Sequence, residues 1–162
     1  MVTSTIEEAL TRQINREIYS AYLYMAMASY AESEGFKGFA NWFEIQTREE
    51  LEHAEKMYSY LQKQGSRVIM QAIEEPPQNF SSLGELFDKT LEHEKNVTKL
   101  INDLAGLAKS KNDSATENFL EWFVKEQIEE EATPANILGK IDETGEDKEG
   151  LLKVDSELAK RQ

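Results

Sequence analysis

TREELEHAEK, residues 47–56, is the stretch on which the fold turns. Glutamates and a histidine stand in the middle of what reads as a long helix, and charge on a helix is ordinary at a surface. The deciding matter is which way Glu50 and His53 point. On a helix, residues three, four, seven and eleven positions apart share a face. From Glu50 those positions hold Phe39, Phe43, Ala54, Met57 and Leu61, with His53 one turn on. Glu50 lies inside an apolar stripe, so it points inward.

The same pattern recurs in three other stretches. Glu17 shares a face with Leu10, Ile14, Ala21, Tyr24 and Ala28. Glu94 shares one with Leu83, Phe87, Leu91, Val97 and Ile101. Glu130 shares one with Phe119, Phe123, Ile137 and Ile141, and Gln127 sits one turn before it. The periodicity predicts helices over about 5–34, 38–64, 82–110 and 113–141, and a short fifth helix over about 147–160 that carries Leu151, Leu152 and Leu158. Glycine and proline punctuate them. GFKG (35–38) and KSKND (109–113) read as tight turns, DETGEDKEG (142–150) as a loop, and residues 65–82, with Pro76-Pro77, as one long irregular connection. Tight turns after the first and third helices imply two antiparallel hairpins, and the long link must cross the length of a four-helix bundle. The fold class is all-α, with residues 1–162 expected to form one domain.

Four inward carboxylates need neutralising. In a dry core each costs several kcal/mol unless paired, protonated or metal-bound. Structural salt bridges are the plain alternative, but none of the stripe positions is Lys or Arg. Protonation of all four is a second possibility, and a divalent cation resolves the conflict directly. Carboxylates with one imidazole suit iron, manganese or zinc, and the Glu-x-x-His spacing of Glu50 and His53 lets both face one ion. Glu50, between other ligands, is the natural bridge between two metals.

Bulk properties agree. The net charge is −13, from 18 Lys and Arg against 31 Asp and Glu, which argues against nucleic acid or an anionic membrane and suits a protein that attracts cations. There is no cysteine, which excludes disulfides, thiolate ligands and cysteine nucleophiles. No apolar run approaches the roughly 18 residues of a membrane span, and MVTSTIEEAL has no signal-peptide character, so a cytoplasmic protein is expected.

NREIYSAYLYMAMA (15–28), GFANWF (38–43), EELEHAEKMYSYL (49–61), LEHEKNVTKLI (91–101) and FLEWFVKEQIEEEA (119–132) together resemble a non-haem ferritin of the bacterial or archaeal type. The resemblance implies a ferritin-like bundle and a ferroxidase centre of two irons. One iron would be held by Glu17, Glu50 and His53, and the second by Glu50, Glu94 and Glu130 with Gln127 alongside and Tyr24 nearby. A third iron position would use Glu49, Glu126 and Glu129 besides Glu130, although Glu126 and Glu129 also read as a solvated face. Fe2+ would be oxidised by O2 or H2O2 and stored as Fe3+ mineral in a hollow cage of about 24 identical subunits. Leu51 stands where bacterioferritins place a haem-ligating methionine, which implies no haem. Gln127-x-x-Glu130 replaces the second Glu-x-x-His of twin-motif di-iron proteins. The competing class is a di-iron or di-manganese oxidase or peroxidase without storage.

Three smaller expectations complete the reading. Trp122, Met57 and the tyrosines of the first helix read as core packing, and His93 as lying beside the site or at the surface. Pro134 removes the i+4 donor of the Glu130 carbonyl, which predicts a kink that re-aims Glu130.

Overall fold

The computed structural model describes residues 2–162. Five helices follow in order: α1 (Ser4–Ser33), α2 (Lys37–Lys63), α3 (Leu83–Ser110), α4 (Ser114–Thr144) and α5 (Lys148–Leu158). Among the described residues there is no strand. The helix starts are chemically marked. Thr3, Ser82, Asp113 and Asp147 each accept from a backbone N–H of the first turn, satisfying a group the helix leaves without a partner.

Two apolar clusters fill the bundle. One gathers Leu23 to Ala31, Phe39 to Phe43, Leu83 to Phe87, and Ile137 to Leu158; the other gathers Ile6 to Ile14, Ala54 to Leu61, Val97 to Ala108, and Leu120 and Phe123. In α1 and α4 the chain passes from the second cluster to the first, and in α2 and α3 from the first to the second. That alternation is the signature of antiparallel hairpins, and each helix carries its glutamate at the crossing. Glu17, Glu50, Glu94 and Glu130 therefore meet in one polar layer between two dry ends, all buried.

The long connection has no helix or strand between Lys63 and Leu83 and runs along α1. Asn15 Nδ2 donates to the Ala72 carbonyl at 2.9 Å, Arg16 pairs with Glu74 at 2.8 Å, and Ser66 Oγ donates to Glu7 at 2.8 Å. These three contacts tie the strap to α1.

The structure corrects the sequence reading in three places. The loop expected over 142–150 is only Gly145–Asp147, because α4 continues to Thr144 until Gly145 takes a left-handed φ of +87° and Asp147 caps α5 at once. Trp122 is not core: at 40% exposure it lies on the flank of α4, edge-on to His53 with ring centres 5.4 Å apart. Tyr22, on the outer side of α1, is 47% exposed, whereas Tyr24 and Met57 are fully buried. α4 continues through Pro134, which is buried within it.

α5 packs against α2 and α4. The first turn of α2 has no side-chain cap of its own, and Asp155 of α5 supplies one, accepting from the Phe39 N–H at 3.0 Å. This close approach needs Gly38: a Cβ there would lie 1.8 Å from the Asp155 carbonyl oxygen. Gly38→Ala is expected to force α5 off α2 at a cost on the order of 1–3 kcal/mol. A lowered thermal midpoint of the metal-free protein checks this, and an unchanged midpoint would show that α5 contributes nothing to the bundle's stability.

Candidate metal centre

Each helix delivers its carboxylate by the same local logic: an unbroken helical stripe buries it because the residues a turn or two away are apolar. His53 Nδ1 lies 3.3 Å from Glu50 Oε2 and 4.0 Å from Glu17 Oε2. Glu17, Glu50 and His53 can offer ligand atoms within 4.8 Å of one another, and so can Glu50, Glu94 and Glu130. These two groups share Glu50 and no other residue. Neutral donors orient the oxygens. Tyr24 OH donates to Glu94 in a short hydrogen bond, and Gln127 Nε2 donates to Glu94 Oε2 at 3.1 Å. Gln13 Nε2 donates to Glu17 Oε1 at 2.8 Å, and Gln46 Nε2 to Glu130 Oε2 at 2.5 Å.

The layer is electrostatically unbalanced. Among the described residues no Lys or Arg pairs with any of the four glutamates; the only basic side chain within ion-pair distance of them is His53. Burial, reinforced by Glu94, Glu17 and Glu130, pushes the Glu50 carboxyl well above its ordinary range. Burial raises Glu17 as well, against the hydrogen bond from Gln13. Burial takes Glu94 up to about 7 despite the donors from Tyr24 and Gln127. Glu130 is raised to about 8, by burial first and then by Glu94. Burial, with Lys56 nearby, lowers His53 to about 4, so its imidazole is neutral at pH 7 and has a lone pair to give. The hydroxyl of Tyr24 is held protonated by burial and by Glu94. Without a metal this site holds protons, and with one it can hold charge. Oxygen donors with one imidazole are the set that iron, manganese and zinc accept.

The profile of the ferritin-like domain matches residues 7–144. The chain belongs to the ferritin family. It is 38% identical over 161 residues to the bacterial non-heme ferritin of Bacteroides fragilis (strain 638R), covering 99% of this chain and 100% of that one. It is also 38% identical to the probable bacterial non-heme ferritin-like protein of Haemophilus influenzae, over 98% of this chain and 96% of the relative. Among solved structures, the open pore ferritin of Archaeoglobus fulgidus superposes with a TM-score of 0.97 at 50% identity, over 100% of both chains.

Within this ferritin fold the remaining residues divide. Glu126 is half-buried, and with His53 and Glu130 it could offer a third set of ligand atoms within 4.8 Å. Glu49 and Glu129 belong to no such set: Glu49 is engaged by Arg161 at 2.6 Å, and Glu129 is exposed. His93 is half-buried beside the site, its Nε2 2.7 Å from Ser20 Oγ and its ring edge-on to Tyr24. Gln13, Gln46 and Arg161 were missed from sequence. An amide four residues before an inward glutamate, on the same stripe, was a usable signal for both glutamines; for Arg161 there was none.

Proposed function

We propose that this chain handles iron as storage ferritins do: it takes up Fe2+ in pairs, oxidises it with O2 or H2O2, and passes Fe3+ to a mineral inside a closed shell of its own copies. The observation that carries this reading is the buried layer of four carboxylates and one imidazole, with no buried Lys or Arg among the described residues, in a chain of the ferritin family. Iron is the substrate here. In this reading Glu17, Glu50 and His53 receive one Fe2+ and Glu50, Glu94 and Glu130 the other, with Gln127 and Tyr24 holding Glu94. Glu126, with Glu130 and the nearby Glu49 and Glu129, supplies a third, outer position.

The two irons supply the electrons. The protein's share is positioning and charge: protons on Glu50, Glu94 and Glu130 leave as metal enters, so Fe2+ meets carboxylates already aimed by amide and hydroxyl donors. Membership of the ferritin family supports self-association into a cage of about 24 subunits. No helix among the described residues is long and apolar enough to cross a membrane.

The test is an aerobic iron titration of the metal-free protein, counting ferric iron that stays soluble per chain. Tens of irons per chain are expected, since a mineral must be enclosed to remain in solution. Saturation at about two per chain would reject storage while keeping the di-iron site, and would favour an oxidase acting on a small substrate.

A further inference from the structure

The last helix and the residues after it return to the rim of the buried layer. Asn41 Nδ2 donates to the carbonyls of Leu158 at 3.2 Å and Arg161 at 3.1 Å, fixing this segment along α2. The guanidinium of Arg161 lies over the Trp42 ring, 4.7 Å from its centre. Nη1 donates to the Trp42 carbonyl at 3.2 Å and to Gln46 Oε1 at 3.0 Å. Nη2 donates to Gln46 Oε1 at 3.1 Å and to Glu49 Oε2 at 2.6 Å. An exposed arginine ion pair is seldom held this way; stacking and a two-pronged grip fix both nitrogens.

The grip has a consequence further in. A guanidinium only donates, so it demands the oxygen of the Gln46 amide and turns Nε2 the other way. There Nε2 donates to Glu130 Oε2 at 2.5 Å. Arg161 thus holds Glu49 directly and aims Glu130 through one intervening side chain. This rim is the anionic side of the site. Glu130 feels Glu49 and Glu126, and Glu126 feels Glu129 and Glu49, while Glu126, Glu130 and His53 can converge on one ion. Two cations cannot share Glu49 at close range without mutual repulsion.

We propose that Arg161 is a displaceable counter-charge and a positioning residue: a cation entering among Glu49, Glu126 and Glu130 takes Glu49 from the guanidinium, which frees Gln46 to turn and Glu130 to swing. The inference rests on the iron-handling reading above. It ranks the positions. The Glu17–Glu50–His53 group makes no hydrogen bond to Arg161 or Gln46 and fills first, the Glu50–Glu94–Glu130 group meets Arg161 only through Gln46, and the outer position fills last, against a resident positive charge.

The experiment uses Zn2+ as a redox-inert probe, titrated into the metal-free assembled protein by equilibrium dialysis. The wild type, Arg161→Gln and Arg161→Lys are compared. Two equivalents tighter than the third are expected in all three, the first unchanged and the second within a few-fold of wild type in Arg161→Gln, where Glu130 loses the aim that Arg161 gives it through Gln46. The third is expected to bind about tenfold more tightly in Arg161→Gln, within the usual range of coupling between sites, and near the wild-type affinity in Arg161→Lys, which keeps the charge. A third equivalent of the same affinity in wild type and Arg161→Gln, with the first two intact, overturns the proposal.

A second readout does not depend on any change at Arg161. With Trp122→Phe as background, Trp42 is the sole tryptophan, and its emission should change at the third equivalent as the guanidinium leaves the ring. A Trp42 signal flat through the third equivalent also overturns the proposal. Absence of the two tight equivalents would overturn the iron-site reading itself, and this inference with it.

Discussion

Glu50→Ala lowers the initial rate of aerobic Fe2+ oxidation by about 100-fold or more, without unfolding the metal-free bundle. Both halves of that expectation come from one geometric fact. The Glu17–Glu50–His53 group and the Glu50–Glu94–Glu130 group have only Glu50 in common, so its loss takes a candidate ligand from each position at once. Loss of a group that merely orients a ligand already costs 10- to 100-fold in affinity, so removal of a shared ligand should exceed it. Stability moves differently. Ionised Glu50 is disfavoured by burial and by Glu94, Glu17 and Glu130, and alanine removes that strain along with the side chain. The cavity left behind works the other way, so the net change in stability is expected to be small. Exposed Glu52, on the same helix, is the control: Glu52→Ala should oxidise iron at the wild-type rate. A Glu50→Ala protein that oxidises iron as fast as wild type would mean that the centre lies elsewhere.

Much of the centre was legible because a helix reports its own inward face. Glu17, Glu50, Glu94 and Glu130 each announced themselves by apolar neighbours at helical spacing, and antiparallel packing brought them to one level. What periodicity cannot report is which neighbouring helix supplies a partner. Gln46 lies on the stripe of Glu50, yet it donates to Glu130 on α4. Arg161 reaches Glu49 across 112 positions of sequence, from a segment placed by Gly38 and Asp155. Trp122 failed for a related reason: it adjoins Phe123 in sequence, but on a helix the next residue lies about 100° round, on the flank. The α4–α5 link was overestimated because its acidic, glycine-bearing composition matches a loop, whereas capping by Asp147 needs only one turn to restart a helix.

The metal-free protein should lose stability as pH rises from about 6.5 to 8, and bound metal should abolish that loss. Glu94 and Glu130 titrate at about 7 and about 8 in the folded state, against an ordinary value of 4.5, and Glu17 and Glu50 are raised as well. Folded-state pKa values above the unfolded ones mean that the folded state keeps protons the unfolded chain has released. The stabilisation is complete below the unfolded value and is lost as pH climbs through the folded ones. His53 and His93 oppose this, because burial lowers both from 6.5 to about 4 and their terms favour the fold as pH rises from 4 to 6.5. Above 6.5 those terms fade, and the glutamates act with little opposition. Each retained proton contributes a slope of roughly −1.4 kcal/mol per pH unit, so a fall of a few kcal/mol is expected across the window. The chain's net charge of −13 does not mimic the effect, since ordinary surface carboxylates are already ionised at 6.5. Thermal midpoints of the metal-free protein at pH 6.5 and 8, with and without saturating Zn2+, decide the matter. With metal bound the glutamates are ionised at both pH values, so the curve should flatten, and proton release on Zn2+ addition should be larger at 6.5 than at 8. A metal-free midpoint that rises over this interval would show that the four glutamates are charged in the empty bundle, and the case for a site waiting for a cation would fail.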